Sequence, residues 1–317
     1  MMKNSYRFPL VVGVVLTVCL AAPVTAVNSD AGTTAFSFLK INAGARAVGM
    51  GGAFTGLADD ENSLYYNPAG IASMERRSFI LGYHNYFVGL QSGMVGLITI
   101  IDRQHYVGAY INYLNYGTFV QTDNLGNEQG EFGGGDVLFG FTYARRYTDR
   151  VLVGITGKLI YEKIQDYSAS GLAVDIGLKY RSDRDRWTAG LMIQNLGTQL
   201  SAFTDRAEKD GLPTAIRAGG SVLPRGLPIQ FTGDVVIPAD NDVYFALGGE
   251  YFEVRPLFIR LGWSGFGSNL RSSDSEDGLA GLAFGVGFEW KNKQFSYSYS
   301  PGADLGDSHR ITLTGEI

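Results

Sequence analysis

The chain has 317 residues, which is enough for one large barrel or two soluble domains. Glycine is abundant at 43 residues, aromatic residues reach 13% and charged residues only 18%, a composition typical of strands that alternate between lipid and a crowded polar lumen. The formal net charge of -5 leaves no basic excess, so we expect no nucleic-acid partner.

The first residues are typical of a secretory signal peptide. Lys3 and Arg7 supply a positive start, Leu10 to Ala22 is an apolar run, and Val24-Thr25-Ala26 offers small residues for cleavage. We therefore expect residues 1–26 to be removed on export, which lowers the formal net charge to about -7. The alternative is an uncleaved membrane anchor, for which the apolar run is short.

Cys19 is the only cysteine of the chain and lies inside that apolar run. The preceding Leu16-Thr17-Val18 lacks the small residue that a lipidated cysteine requires, so we do not expect a lipoprotein. The mature chain then has no cysteine, and neither disulfides nor thiol chemistry are expected.

Residues 27–77 form a glycine-rich segment without strand periodicity, most clearly from Asp30 to Met74. The glycines permit a close-packed backbone, and Pro68 disfavours helix at the preceding Asn67. Because such a segment needs support from a larger structure, we predict that it packs as a plug inside the mouth of a barrel formed by residues 78–317. The residues singled out for this role are Gly44, Arg46, Gly49, Gly51, Gly52, Asp59, Asp60, Asn67, Pro68, Ala69 and Gly70.

Two patterns inside this segment suggest ligand binding but have simpler interpretations. Gly49 to Gly52 meets neither the dinucleotide spacing nor the Walker spacing, so tight packing explains it better than a phosphate loop. Asp59-Asp60-Glu61 could bind a cation or pair with arginines of the lumen. A solvated acidic turn is the favoured interpretation, because that is the usual fate of a charge run.

From residue 78 onward, apolar residues alternate with small or polar ones at the period of two expected for strands. Ala280 to Trp290, AGLAFGVGFEW, shows the pattern most clearly, and its length of about eleven residues allows a tilted strand to cross a bilayer. The alternation predicts about fourteen strands, at 79–88, 91–101, 105–116, 136–146, 151–163, 171–181, 186–195, 213–223, 228–237, 242–253, 256–264, 279–290, 293–299 and 308–317.

The lengths of the connections test this count independently. Connections after even-numbered strands are short, whereas three after odd-numbered strands are long: Gly117 to Gly135, Leu196 to Leu212 and Gly265 to Gly278. Two more, Ile164 to Ser170 and Ser300 to Asp307, are intermediate, and the first and fifth connections after odd-numbered strands are short. Outer-membrane barrels place long loops outside the cell and short turns in the periplasm, so both ends of the barrel-forming chain are predicted to be periplasmic.

These patterns predict an all-β fold, a transmembrane antiparallel up-and-down β-barrel of about fourteen strands with the N-terminal plug segment in its lumen. The alternative is a β-sandwich or soluble barrel, which would bury the apolar faces in a packed core. Aromatic residues at the ends of predicted strands favour a membrane belt. They are Tyr161, Tyr180, Trp187, Trp263 and Trp290.

Ionisable residues of both signs fall on the predicted inward faces. A weakly selective porin would leave them hydrated, whereas a plugged barrel would pair them across the lumen or with the plug, which is the interpretation we favour. These lumen-facing charges are Lys158, Glu162, Asp175, Lys179, Arg217, Asp234, Glu250, Arg260, Glu289 and Arg310.

No pattern in the sequence indicates an enzyme. His84, His105 and His309 lie on three separate predicted strands without a clustered set of partners. Asp240-Asn241-Asp242 and Asp274 to Asp277 fall in predicted outer loops and offer oxygen ligands, but the calcium-loop spacing is absent. We therefore expect no catalytic residues, no cofactor and no metal site.

The run from Gly44 to Gly70, GARAVGMGGAFTGLADDENSLYYNPAG, resembles the N-terminal signature of the PorV/PorQ family of outer-membrane proteins. That family is similar in turn to the FadL-type barrels, which have fourteen strands and an N-terminal segment in the lumen. The resemblance implies integral location in the outer membrane, among its lipids, and an accessory or shuttle role in type IX-like protein secretion, with secretion components or secreted cargo as partners. The alternatives are passive transport of hydrophobic small molecules and a structural barrel with no transport role.

Overall fold

The computed structural model describes residues 32–182, 186–204, 209–268, 279–302 and 306–317. The expectations for the signal peptide, for Cys19 and for Asp274 to Asp277 concern residues outside these ranges.

Fourteen antiparallel strands within the described ranges form a closed barrel. Each strand pairs with the next one along the chain, and the first pairs with the last through the register Ser78↔Glu316 to Asn85↔His309. The predicted strand number is confirmed and the sandwich alternative is wrong, because closure leaves no second sheet to cover the apolar faces. The strands are β1 Ser78–Asn85, β2 Gln91–Ile100, β3 His105–Thr122, β4 Glu128–Arg146, β5 Val151–Ile164, β6 Tyr167–Arg181, β7 Trp187–Ser201, β8 Ala215–Val222, β9 Ile229–Pro238, β10 Tyr244–Tyr251, β11 Leu257–Ser264, β12 Leu282–Trp290, β13 Lys293–Pro301 and β14 Asp307–Glu316.

The alternation along each strand separates an apolar outer face from a polar inner face. Outward-facing Phe141 and Leu159 are 61% and 59% exposed, whereas inward-facing Asp175 and Arg260 are 0% and 1% exposed. This is the reverse of a water-soluble protein, in which large apolar side chains are covered and charges are left in water. The outer face is therefore the one that suits a lipid environment.

The connection between β3 and β4 differs from the prediction. Gly117 to Gly135 was expected to be a long loop, but the two strands extend through it and leave only Asp123 to Asn127 as a turn. Phe119 pairs with Phe132 across the extension, with ring centroids 5.5 Å apart. A cross-strand aromatic pair stabilises the hairpin here, and short-range sequence patterns do not reveal such a pair.

The hairpin of β5 and β6 is also tighter than predicted. The expected connection Ile164 to Ser170 shrinks to Gln165-Asp166, with Gln165 in the left-handed region at φ 54°. The connections after β7 and β11 remain long. We call the end of the barrel that carries the connections after odd-numbered strands the outer end, and the opposite end the inner end.

The N-terminal segment, residues 32–77, contains only short helical turns. They are a 3-10 turn at Ser37–Lys40, α1 at Ala45–Gly49, α2 at Ser63–Tyr66 and a second 3-10 turn at Pro68–Ser73. Buried residues of the segment, such as Leu64 and Ile71, share one apolar cluster with inward-facing Leu138 and Leu152 of the barrel wall. In the part of the chain that the structure describes, no helix has the length and apolar character needed to span a membrane.

Candidate functional site

Two inward-facing charges of the wall hold the turn from Gly52 to Thr55. Asp234 on β9 accepts the backbone N–H groups of Phe54 and Thr55 through Oδ2, at 3.1 and 2.9 Å. Arg217 on β8 donates to the carbonyl oxygen of Gly52 at 2.8 Å and lies 3.4 Å from Asp234. The carboxylate of Asp234 thus accepts from backbone N–H groups, and the guanidinium of Arg217 donates to a backbone carbonyl, all within residues 52–55.

Lys179 on β6 joins two parts of the N-terminal segment. Its Nζ donates to the carbonyl oxygens of Leu57 and Ala58 at 2.6 and 2.7 Å, and to Oγ of Ser73 at 3.2 Å. Because the lysine is only 2% exposed, a buried ammonium here must be satisfied by such acceptors.

Three threonines on inward-facing positions complete the attachment. Thr188 donates to the carbonyl oxygen of Gly56 and Thr232 to that of Ala53, each at 2.6 Å, while Thr312 accepts the N–H of Ala45 at 2.9 Å. These threonines are not among the residues singled out from the sequence, because only ionisable residues were selected on the inward faces. Their period-two placement on inward faces was the available signal.

Arg46 on α1 is bonded to three carboxylates. It donates to Glu250 at 2.8 and 3.0 Å, to Asp59 at 2.6 Å and to Asp60 at 2.8 Å. Glu250 also accepts Nε of Arg260 at 2.6 Å. Burial lowers the pKa of Arg46, but the surrounding carboxylates outweigh burial and raise it well above its usual value. The guanidinium therefore stays charged and connects the segment to β10.

The acidic run beside this arginine is not the solvated turn that was favoured. Only Asp59 is exposed, and Glu61 is 8% exposed. Burial, together with the neighbouring charge of Asp60, raises the pKa of Glu61 to about 7. Asp59 and Asp60 do pair with an arginine, as one alternative expected, but that arginine is Arg46 of the N-terminal segment and not a residue of the barrel wall.

Asn67 connects two parts of the N-terminal segment with each other and also connects the segment to the barrel wall. Its Nδ2 donates to the carbonyl oxygens of Thr55 and Leu178 at 2.9 and 3.1 Å, and its Oδ1 accepts the N–H of Ala69 at 3.1 Å. Its backbone is extended at φ -165°, as expected for a residue before proline, and it caps the 3-10 turn that Pro68 begins.

Glycines of the wall allow the segment's backbone to approach closely. A Cβ added to Gly262 on β11 would lie 1.9 Å from the nitrogen of Gly51, and one added to Gly190 on β7 would lie 2.1 Å from the carbonyl oxygen of Thr55. Both distances are far shorter than any real contact, so a side chain at either position would displace the segment.

The residues that the sequence singled out fall into clear groups. In the segment, Arg46 and Asp60 are partly buried, Asp59 is exposed, and the buried ones are Gly44, Gly49, Gly51, Gly52, Asn67, Pro68, Ala69 and Gly70. On the wall, Glu162 and Glu289 are partly buried, and the buried charges are Lys158, Asp175, Lys179, Arg217, Asp234, Glu250, Arg260 and Arg310.

Not every wall charge contacts the segment. Lys158 and Asp175 pair with each other at 2.6 Å, and Lys158 also donates to Oδ1 of Asn195 at 2.7 Å. Arg310 donates to Oγ of Ser308 at 2.7 Å. These bonds are made within the wall, and Nε of Arg310 is buried without a hydrogen-bond partner among the described residues.

The three histidines and the acidic connection Asp240-Asn241-Asp242 make contacts that are separate from one another. His84 bonds Ser308 at 3.0 Å, and His105 and His309 each bond a tyrosine hydroxyl. Asp240 binds Lys40 and the hydroxyl of Thr34. Within the described ranges, no group of three or more His, Cys, Asp or Glu side chains is arranged to hold a metal ion.

A cavity lies at each end of the barrel. The outer cavity, of about 480 Å³, opens between Phe36 and Phe38 of the segment, Leu90, and Phe203 of the connection after β7. The inner cavity, of about 430 Å³, lies beside Arg46 and has charged lining residues of both signs. Between them the aromatic residues of the segment pack on one another, with the rings of Phe54 and Tyr66 5.6 Å apart.

A family model described as type IX secretion system protein PorV matches residues 24–223. The chain belongs to the PorV family. This match confirms the resemblance drawn from Gly44 to Gly70, and membership makes the chain an outer-membrane protein.

A curated relative of this family member is the UPF0164 protein of Treponema pallidum (strain Nichols). The two are 26% identical over 234 residues, which cover 67% of this chain and 54% of the relative. The chain thus spans about half the length of the curated relative that it matches.

Solved structures of FadL-like barrels share the fold of this family member. The toluene transporter TbuX of Ralstonia pickettii aligns with a TM-score of 0.61 and 14% identity, over 86% of this chain and 98% of TbuX. The CymD monoaromatic hydrocarbon channel aligns with a TM-score of 0.60 and 14% identity, over 89% of this chain and 99% of CymD. A FadL homologue of Pseudomonas aeruginosa aligns with a TM-score of 0.53 and 10% identity, over 92% of this chain and 99% of the homologue. At these identities the likeness shows the fold alone, and it confirms the FadL-like architecture.

Proposed function

We propose that this outer-membrane barrel is an accessory or shuttle component of type IX-like protein secretion, and that residues 27–77 act as a plug that keeps its lumen closed. The family match supports the secretion role. The observation that carries the closed state is the set of buried hydrogen bonds from wall charges to the backbone of the N-terminal segment, made by Asp234, Arg217 and Lys179.

These bonds make withdrawal of the segment costly. A hydrogen bond to a charged group contributes about 1.5–3 kcal/mol, and a buried charge left unpaired costs more than the bond itself. A barrel closed in this way is not the conduit for secreted protein. Its contribution to export then lies in surfaces, chiefly the connections at the outer end, that contact cargo or other secretion components.

The test is a lock between the segment and the wall. Cysteines replace Ala45 and Thr312, because the backbone nitrogen of Ala45 lies 2.9 Å from the hydroxyl of Thr312, and a non-reducing gel verifies that their disulfide forms. Cys19 is the only native cysteine of the chain. The locked protein, expressed in a strain that lacks the native gene, is expected to restore display of secreted cargo at the cell surface. Each single-cysteine variant, and the reduced pair, serve as matched controls.

Two outcomes would contradict the proposal. If every secreted cargo still reaches the cell surface when the gene is deleted, the secretion role is removed. If the reduced pair supports display and the oxidised pair does not, the segment must move, and closure is not the working state.

A second candidate is passage of hydrophobic small molecules. The outer cavity favours it, because its size and its apolar, aromatic lining are typical of small-molecule sites. Liposomes containing the protein should then take up a labelled, uncharged hydrophobic compound, such as a fatty alcohol, faster than empty ones, and the disulfide lock should abolish the difference. Equal uptake would argue against transport. A structural barrel, the third hypothesis, requires a closed lumen and no deletion phenotype beyond envelope integrity.

A further inference from the structure

The outer cavity combines apolar walls with charge of one sign. Its volume of about 480 Å³ falls within the range of small-molecule sites. Phe36, Phe38 and Leu114 contribute apolar surface, whereas every charged residue that lines the cavity is acidic, including Asp136 and Glu162. No Lys, Arg or His side chain of the described residues lines it.

The two carboxylates face each other across neighbouring strands. Asp136 on β4 is directly opposite Glu162 on β5 in the strand register. Like charges at such a position destabilise a strand pair, so the arrangement needs a compensating group. Asp136 is only 1% exposed, which limits the help that water can give.

Tyr116 supplies only part of that compensation. Its hydroxyl lies 2.8 Å from both oxygens of Asp136 and 3.2 Å from Oε1 of Glu162. A phenol has one proton to donate and carries no positive charge. The hydroxyl therefore cannot donate fully to both carboxylates at once, and acceptor oxygens of the pair remain available to a further donor.

We propose that the outer cavity binds small organic cations with an apolar body, such as aryl- or alkylammonium compounds. The ammonium lies on the cavity side of the acidic pair, beside the Tyr116 hydroxyl, where it can donate to Glu162 and to Asp136. The apolar body lies against Phe36 and Leu114, and an aromatic face adds attraction for the cation. An anion of the same shape is repelled, and a bare metal ion leaves the apolar walls unfilled. This selectivity for positive charge is independent of the secretion role and concerns binding, not transport.

Calorimetric titration of the full-length protein in a non-ionic detergent tests the proposal with three probes of similar shape. They are phenethylammonium, phenethyl alcohol and 3-phenylpropionate, each corrected with protein-free micelles. The ammonium is expected to bind at least tenfold more tightly than the alcohol, and the carboxylate to show no binding. Calcium chloride is titrated as a fourth probe.

Variants locate the binding. Asp136→Asn and Glu162→Gln are expected to reduce the affinity for the ammonium to that for the alcohol, while Asp123→Asn, in the exposed turn between β3 and β4, leaves it unchanged. Heat-modifiable migration in gels verifies that each variant is folded. Equal affinity for ammonium and alcohol, binding of calcium without the ammonium, or a preference that survives both substitutions would overturn the proposal. Because the assay contains no secretion component, its failure leaves the secretion role untouched, and the reverse also holds.

Discussion

Replacing Arg46 by methionine tests the connection between the N-terminal segment and the wall. The substitution keeps much of the aliphatic stem but removes the bonds to Glu250, Asp59 and Asp60. Breaking a buried ion pair costs about 3–5 kcal/mol when one charge is left behind. Asp59 is exposed, so its bond adds little, and Glu250 keeps Arg260 as a partner. We therefore expect a loss of about 3 kcal/mol, at the lower end of that range.

The measurement is equilibrium unfolding by urea in lipid vesicles, followed by the fluorescence of the three tryptophans. Hydrogen exchange of residues 45–66 shows whether the loss is concentrated in the segment. The double variant Arg46→Met/Glu250→Gln is expected to cost less than the sum of the two single variants, by about 1–3 kcal/mol, because both partners act in one network.

The matched control is Arg76→Met. Arg76 pairs with Glu316 at 2.8 Å, but the two side chains are 64% and 40% exposed, so a change within about 0.5 kcal/mol is expected. A loss at Arg46 no larger than at Arg76, or strict additivity in the double variant, would refute the reasoning that burial makes this network strong.

Three further predictions concern other contacts of the lumen. Gly262→Ala should displace the segment and increase its cleavage by protease, whereas Gly157→Ala, with open space around it, should have no effect. The pKa of Glu61, raised from 4.5 to about 7, means that the unfolded chain ionises first as pH rises. The contribution of Glu61 to stability should therefore fall between about pH 4.5 and 7, by roughly 3 kcal/mol, and urea titrations across that range should find the fall smaller by that amount in Glu61→Gln. Lys158→Met leaves Asp175 buried without its cation, and unfolding should show a loss of about 3–5 kcal/mol, whereas Lys158→Met/Asp175→Asn should recover part of it.

The sequence alone determined the architecture of the barrel. Period-two alternation is a local property, so it identified the strands, their inward faces and their number without any knowledge of partners. Gly44 to Gly70 identified the family for a similar reason, because a contiguous motif can be read directly from the chain. The predicted strand bounds were wrong where cross-strand pairing extends the strands, as at Phe119 and Phe132 in the extended hairpin of β3 and β4.

Only the tertiary structure decided which groups meet inside the barrel. The alternation indicated that Asp234 and Lys179 face inward, but their partners lie 179 and 122 residues away, at Thr55 and Leu57. The same holds for the opposition of Asp136 and Glu162, which depends on the register of two strands. Such contacts arise from the position of the segment relative to the closed sheet, and that position is set by the packing of all its residues together, which no local pattern encodes.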